Sequence, residues 1–273
     1  MRLRSAAAGL AAAALAAPAA LRLGDALADR RAAAALAGPP PAPAPSPEAM
    51  ARLPPAARRY FAALRPPGAR PSRVSLIVMG GTLDLGSRAA PAPRPMRARQ
   101  ILAPPRGFVW RVRAGAVSGT DAMLGDRSWS SFRLVGLMPV ARASGPNHLR
   151  SSFGRMAGEA AFWCPGALLP GPGILWEGDG PRRARVTLSR RGLSQAVDVA
   201  LGPDGMPERV EFLRWSDANP ERAYRLQPFG GHLSDFATFG GWRLPRRVTG
   251  GNMIGTPDWH PFFEARVRRI EVS

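Results

Sequence analysis

The spacing of apolar alternation constrains this chain more than any other feature. From residue 72 onward, short segments with an apolar residue at every second position follow one another with only a few residues between them. Such links are too short for the helical crossover that parallel neighbours need, so consecutive strands must run antiparallel. In residues 72–85 (SRVSLIVMGGTLDL) Val74, Leu76 and Val78 alternate, and the Gly80-Gly81 pair marks a bulge or bend. Met96, Ala98, Gln100 and Leu102 then oppose Arg97, Arg99 and Ile101, and Phe108, Trp110 and Val112 alternate with Val109, Arg111 and Arg113. This is the half-buried pattern, apolar inward and arginine outward. Residues 119–140 contain a turn at Gly125-Asp126. Val186 and Leu188 alternate in the next segments, Ala196, Val197 and Val199 repeat the theme, and residues 202–205 (GPDG) read as a hairpin turn. Phe236, Phe239, Trp242 and Leu244 precede a last strand in residues 262–272 (FFEARVRRIEV), whose two faces do not separate cleanly.

One stretch breaks the period of two. In residues 148–176, Leu149, Phe153, Met156, Ala157, Ala160 and Ala161 recur at steps of three and four, which is one face of a helix. Pro165-Gly166 stops it, because proline lacks the amide donor and restricts the residue before it. Glu159 lies beside the apolar face, with Arg155 one turn earlier as a ready partner. Trp163 and Trp176 flank the stop. A smaller helix is expected in ARRYFAAL, residues 57–64, with Tyr60, Phe61 and Leu64 on its buried side.

The N-terminus is of another kind. Arg2 and Arg4 precede an uncharged alanine-leucine run with small residues at possible cuts after Ala19 or Ala28, the layout of a secretory signal. A membrane-spanning helix is the rival reading, against which stand Pro18 and a run short of the ~20 apolar residues a bilayer needs. We therefore expect residues 1–28 to be a signal peptide or N-terminal membrane segment, residues 29–48 an Ala/Pro-rich linker, and residues 49–273 one domain. Export to the periplasm or cell envelope follows.

With 45 % hydrophobic residues the domain can fill a real core. The formal charge of +19 raises nucleic acid or an anionic membrane as a partner. However, the chain has no lysine, and its arginines are scattered in pairs such as Arg182-Arg183 and Arg246-Arg247, so a solvated basic surface and genomic bias account for most of it. An anionic membrane stays open as a partner, and nucleic acid is disfavoured. The single cysteine, Cys164, excludes an intramolecular disulfide and a cysteine metal cluster. His148, His232 and His260 match no metal-binding spacing, no G-x-S-x-G elbow is present, and the glycine pairs do not join a strand to a helix, so neither a metal nor a cofactor is expected.

LPPAARRYF at Leu53, PPRGFVW at Pro104, Asp121, GEAAFWCPGALLP at Gly158, Trp176 and FGGHLSDFATFGGWRLPRRV at Phe229 together resemble an uncharacterised bacterial family of envelope-associated proteins of unknown function. The resemblance spans residues 53–272, and its most specific part is E-x-x-x-W-x-P-x-x-L-L from Glu159 to Leu169. The segment ending in FGGWRLPRRV is also similar to the closing strands of lipoprotein carriers of the LolA and LolB type. That likeness implies an α+β fold in which a strongly curved, mostly antiparallel β-sheet, a half-barrel, grips apolar chains on a concave side that carries the helix.

Three functions remain open. The first is a non-enzymatic envelope protein binding a lipid or other apolar ligand in a cleft lined by Trp110, Asp121, Glu159, Trp163 and Trp176. The second is an enzyme with Asp121 and Glu159 as acid and base, which paired carboxylates become when their environments differ. The third is a purely structural or interaction module. Glu159 itself reads either as half of a structural ion pair with Arg155 or as an acid facing the ligand.

Overall fold

The computed structural model describes residues 2–38, 44–66, 69, 72–178 and 180–273, with side chains from residue 19 onward. Helix α1 (Arg2–Ala37) is followed by the short α2 (Pro47–Ala51) and by α3 (Pro55–Leu64). Then come β1 (Ser75–Asp84), β2 (Pro93–Ala103), β3 (Gly107–Ala114), β4 (Val117–Leu124), β5 (Arg127–Leu134) and β6 (Met138–Ser144). Helix α4 (Pro146–Trp163) and a 3-10 turn at Pro165–Leu168 interrupt the strands. The chain ends with β7 (Ile174–Glu177), β8 (Arg183–Arg190), β9 (Leu193–Leu201), β10 (Pro207–Ser216), β11 (Arg225–Phe239), β12 (Trp242–Asn252) and β13 (His260–Val272).

The thirteen strands of the described residues form one antiparallel sheet in the order β6-β5-β4-β3-β2-β1-β13-β12-β11-β10-β9-β8-β7. The first and last strands pair at its middle, and the two strands that flank α4 in sequence are its two edges. Helix α4 packs on β4, β5 and β6 and also on β9, β10 and β12. In a flat sheet β6 and β9, ten places apart, would be ~48 Å from each other. An 18-residue helix is only ~27 Å long. The sheet must therefore curl around the helix, which makes the helix side concave, and it stays open because β6 and β7 do not pair.

The concave side carries the main core, with Trp163, Trp242, Tyr60, Phe108, Phe153 and Met156 among its fully buried side chains. Glycines let α4 lie this close: a Cβ at Gly158 would sit 2.3 Å from the Phe212 ring, and one at Gly154 would sit 2.7 Å from Gln195 Oε1. Cys164 is buried at the end of α4, where burial pushes its thiol up to about 12, so it is an inert core residue.

One expectation about a strand needs correction, and the mixed faces of the last strand find their cause. In β1 the inward residues are Ser75, Ile77 and Met79, not Val74, Leu76 and Val78. Val74 instead belongs to a second apolar layer on the outer face, and with apolar residues on both faces the phase of the alternation carries no information. In β13 a bulge opposite Val78/Met79 makes Arg268 the extra residue, so the inward face passes from Ala265 and Val267 to Ile270. That phase change is why the sequence of this strand does not resolve into two faces.

The outer layer belongs to α1. Asp25, Asp29, Ala32, Ala33 and Leu36 share one side of this helix, which lies on β2, β3 and β4. Residues 29–37, expected as the start of a linker, are therefore packed helix. Asp29 accepts hydrogen bonds from Thr120 Oγ1 at 2.6 Å and Trp129 Nε1 at 2.9 Å. Asp25 accepts a two-pronged bond from Arg142 at 2.7 and 2.9 Å, another from Ser131 at 2.8 Å, and a contact from Arg133. Arg106 caps the helix by donating to the carbonyls of Ala35 and Leu36 at 3.0 and 2.6 Å, a cation where the helix dipole is negative. Five residues of the proline-alanine stretch, 39–43, lie outside the described residues.

Arg142, with help from Arg133 and Ser131, holds the Asp25 carboxyl far below the usual carboxylate range. A depressed folded pKa contributes stability above the unfolded value and loses it as pH falls. Asp25→Asn should lower stability by ~1 kcal/mol near neutral pH, a figure kept small because Arg142 is half exposed. The gap to wild type should narrow as pH drops below the ordinary aspartate value of 3.8. Thermal unfolding across pH checks this, and a gap that widens toward acid would contradict it.

Candidate functional site

The candidate site begins as one lateral row of residues. Strand register sets Gln100 of β2 opposite Trp110 of β3, Trp110 opposite Asp121 of β4, and Asp121 opposite Ser130 of β5. The same register keeps their side chains on one face, the concave one, beneath α4. From above, Arg155 of α4 reaches down into this row. Its Nη1 donates to Asp121 Oδ2 at 2.6 Å and its Nε to Glu159 Oε1 at 2.7 Å. Its guanidinium also lies 4.8 Å from the ring centres of both Phe108 and Trp110, so a cation, two anions and two aromatic faces meet at one point.

The acids are held from their other sides too. Gln100 Nε2 donates to Glu159 Oε2, and Ser130 Oγ donates to Asp121 Oδ1 at 2.8 Å. His148, on the first turn of α4, bridges Ser128 and Ser130 at 2.7 and 2.8 Å. Burial lowers its pKa, which keeps the ring neutral at pH 7. Two buried polar atoms of this region have no partner, Gln100 Oε1 and Trp110 Nε1.

Beside the network is a cavity of about 530 Å³, within the range of small-molecule sites. Trp110, Phe132, Phe162, Trp163, Phe212, Phe229 and Phe263 form much of its wall, and the charged groups on it are Asp84, Arg155, Glu159 and Arg214. Its rim includes exposed apolar side chains, Leu85 at 42 % and Val140 at 53 % of full exposure, and Val135, Leu137 and Met138 of the same β5–β6 hairpin are exposed as well. A larger hollow of about 1210 Å³ lies between residues 86–89 and 217–222, but its wall is built largely from exposed loop residues.

Of the residues singled out from sequence, Trp110, Glu159 and Trp163 line the cavity. Asp121 lies behind it, joined to it through Arg155. Trp176 lies elsewhere, packed on Tyr60 and Phe61 of α3, with its indole donating to the Leu168 carbonyl at 2.8 Å. It is a core residue and not part of the site. Sequence reasoning missed Gln100, Phe212, Phe229 and Arg214, which reach the site only through strand pairing. A glutamine on the inward face of β2 and an arginine near the end of β10 were the available signals. Among the described residues, no group of His, Cys, Asp and Glu is arranged to hold a metal.

The model of the Family of unknown function (DUF6544) matches residues 43–265. The chain belongs to this family. The family's match leaves out α1, begins just before α2 and ends within β13, so it covers β1 to β12, the first part of β13, α4 and every residue of the cavity. Among solved structures, a LolA superfamily protein from Nitrosomonas europaea is 13 % identical with a TM-score of 0.37, over 79 % of this chain and 88 % of that one. A putative outer membrane lipoprotein-sorting protein domain from Vibrio parahaemolyticus is 12 % identical with a TM-score of 0.35, over 73 % and 83 %. A DUF1329 family protein from Desulfovibrio piger is 9 % identical with a TM-score of 0.40, over 74 % and 86 %. Likenesses this distant carry no argument about function. No curated protein matches the chain.

Arg155 is the shared partner of two acids, so the three should respond unequally to mutation. Arg155→Met leaves both carboxylates without their cation and should cost ~3–5 kcal/mol, as breaking a buried pair does. Glu159→Gln leaves Arg155 its bond to Asp121 and should cost less. The double variant should lose less than the sum of the singles, because groups in contact couple. Thermal or denaturant unfolding of the four proteins measures this, and strictly additive losses would contradict the shared pairing.

Proposed function

We propose that this protein is a non-enzymatic envelope protein that binds a lipid or other apolar ligand between α4 and the concave face of its sheet. The observation that carries this reading is the cavity: a largely aromatic and aliphatic cleft of about 530 Å³ against the main core, with exposed apolar side chains at its open rim. Apolar patches that stay exposed mark contact with membranes or partners, so the β5–β6 hairpin is where such a ligand would leave a lipid surface. The formal charge of +19 leaves an anionic surface of that kind open as the partner.

The acid-base alternative has less support. Asp121 does not line the cavity, and both acids are occupied by one guanidinium, with Ser130 and Gln100 on their other oxygens. Export is part of the proposal and rests on the Arg2-Arg4 start and the alanine-leucine run. Of the two cut positions, one after Ala19 spares the docked face of α1, whereas one after Ala28 would remove Asp25 and its ion pairs.

Gly250 offers a direct test. It lines the cavity on the same face of β12 as Val248, and a Cβ there would meet only ordinary contacts, the nearest at 3.6 Å. Gly250→Leu should fill part of the chamber while leaving the fold intact. A fluorescent polyene fatty acid should bind the wild-type chain with enhanced emission and bind this variant at least about tenfold more weakly, a loss of ~1.4 kcal/mol. No binding to wild type, or equal binding to both at unchanged thermal stability, would overturn the reading.

A further inference from the structure

Four charged side chains cluster where α4 meets the sheet, and three of them account for one another. Asp121 and Glu159 share Arg155. The fourth, Arg214 of β10, does not join them. Its Nε donates to the Ser151 carbonyl at 3.3 Å and its guanidinium lies 4.8 Å from the centre of the Phe229 ring, on the cavity wall. Among the described residues, no carboxylate comes within ion-pair distance of it, although a guanidinium has five donors to satisfy.

From this geometry we infer that the ligand is an amphiphile with an anionic head, an acyl chain in the aromatic chamber and a carboxylate or phosphate oxygen on the Arg214 guanidinium. The inference rests on the apolar-ligand reading above and adds the chemistry of the ligand's polar end.

The energetics favour the assignment. Burial pulls the Arg214 pKa down to about 10, and the nearby Arg155 charge lowers it further, while Asp121 and Glu159, held by Arg155, act in the opposite direction. A cation in that position is under-compensated, and placing an anion against it supplies the missing partner. Arginine suits the task because its planar fork can give two parallel bonds to one carboxylate or phosphate. The remaining wall offers an incoming anion few other donors. Arg155 is engaged at both ends, and the other charges on the wall, Asp84 and Glu159, are acids that repel it. Neutral apolar ligands would fill the same chamber and gain nothing from Arg214.

The test compares one chain with and without its charge: cis-parinaric acid and its methyl ester, titrated by fluorescence into the full-length protein. The acid should bind about tenfold or more tightly than the ester, the scale of a charge-assisted hydrogen-bonded contact. Arg214→Gln should bring the acid down to the level of the ester and leave the ester unchanged, while Arg214→Lys should keep part of the preference. Arg150→Gln, an exposed arginine stacked on Trp215 and outside the cavity wall, should change neither. Alkyl phosphate competing against alkyl carboxylate of equal length tells which head the site prefers. Equal binding of acid and ester by the wild type overturns the head-group assignment and leaves the apolar-ligand reading standing. A preference for the acid that survives in Arg214→Gln does the same. Binding of neither probe overturns both.

Discussion

A single helix that joins the two far edges of a thirteen-stranded sheet sets the shape of this protein. Strands β6 and β7 are the sheet's outermost members, and α4 is the element between them in sequence. Because α4 is far shorter than the flat sheet would be wide, its packing on both halves requires the sheet to close around it. Glycines at 154 and 158 allow the approach, and the pairing of β1 with β13 joins the halves at the middle. A sheet curled over one helix is not a filled solid: the helix covers part of the concavity, and the remainder is the aromatic chamber.

The charges inside the concavity follow from the same packing. Arg155 enters an apolar space, where a lone cation would be costly, and finds two carboxylates and two aromatic faces around it. One of those acids comes from its own helix and the other from β4, so the network ties α4 to the sheet at a fixed register as well as neutralising charge. Gln100 and Ser130 take up the outward oxygens of the acids. Arg214 stands next to this group, and among the described residues no carboxylate lies within ion-pair distance of it.

Much of the fold could be read from the sequence, because the constraints involved are local. Short links between alternating segments dictate antiparallel neighbours, and the helix shows its period from Leu149 to Ala161 and its stop at Pro165. The pair Arg155 and Glu159 is legible as an i, i+4 spacing, and it forms. What was illegible depends on pairs distant in sequence. That Asp121 shares the same guanidinium, that Gln100 reaches Glu159, and that Arg214 faces the chamber are all consequences of strand register and curl. Trp176 misled because a tryptophan after the helix looks the same whether it packs under α3 or lines a cleft. Residues 29–37 misled for a related reason: an alanine-rich segment with a single acid, Asp29, gives little sign of docking until Thr120 and Trp129 are brought alongside it.

The central claim is that the space between α4 and the curled sheet is a binding chamber and not a packing defect. The most direct measurement is a crystal structure of the full-length protein grown with a chain-brominated fatty acid, with the bromines located by anomalous scattering. The account predicts bromine sites inside the chamber, among Trp110, Phe212 and Phe263. Bromine found only on the outer surface, or a chamber closed by rearranged side chains with no bromine in it, would contradict the claim.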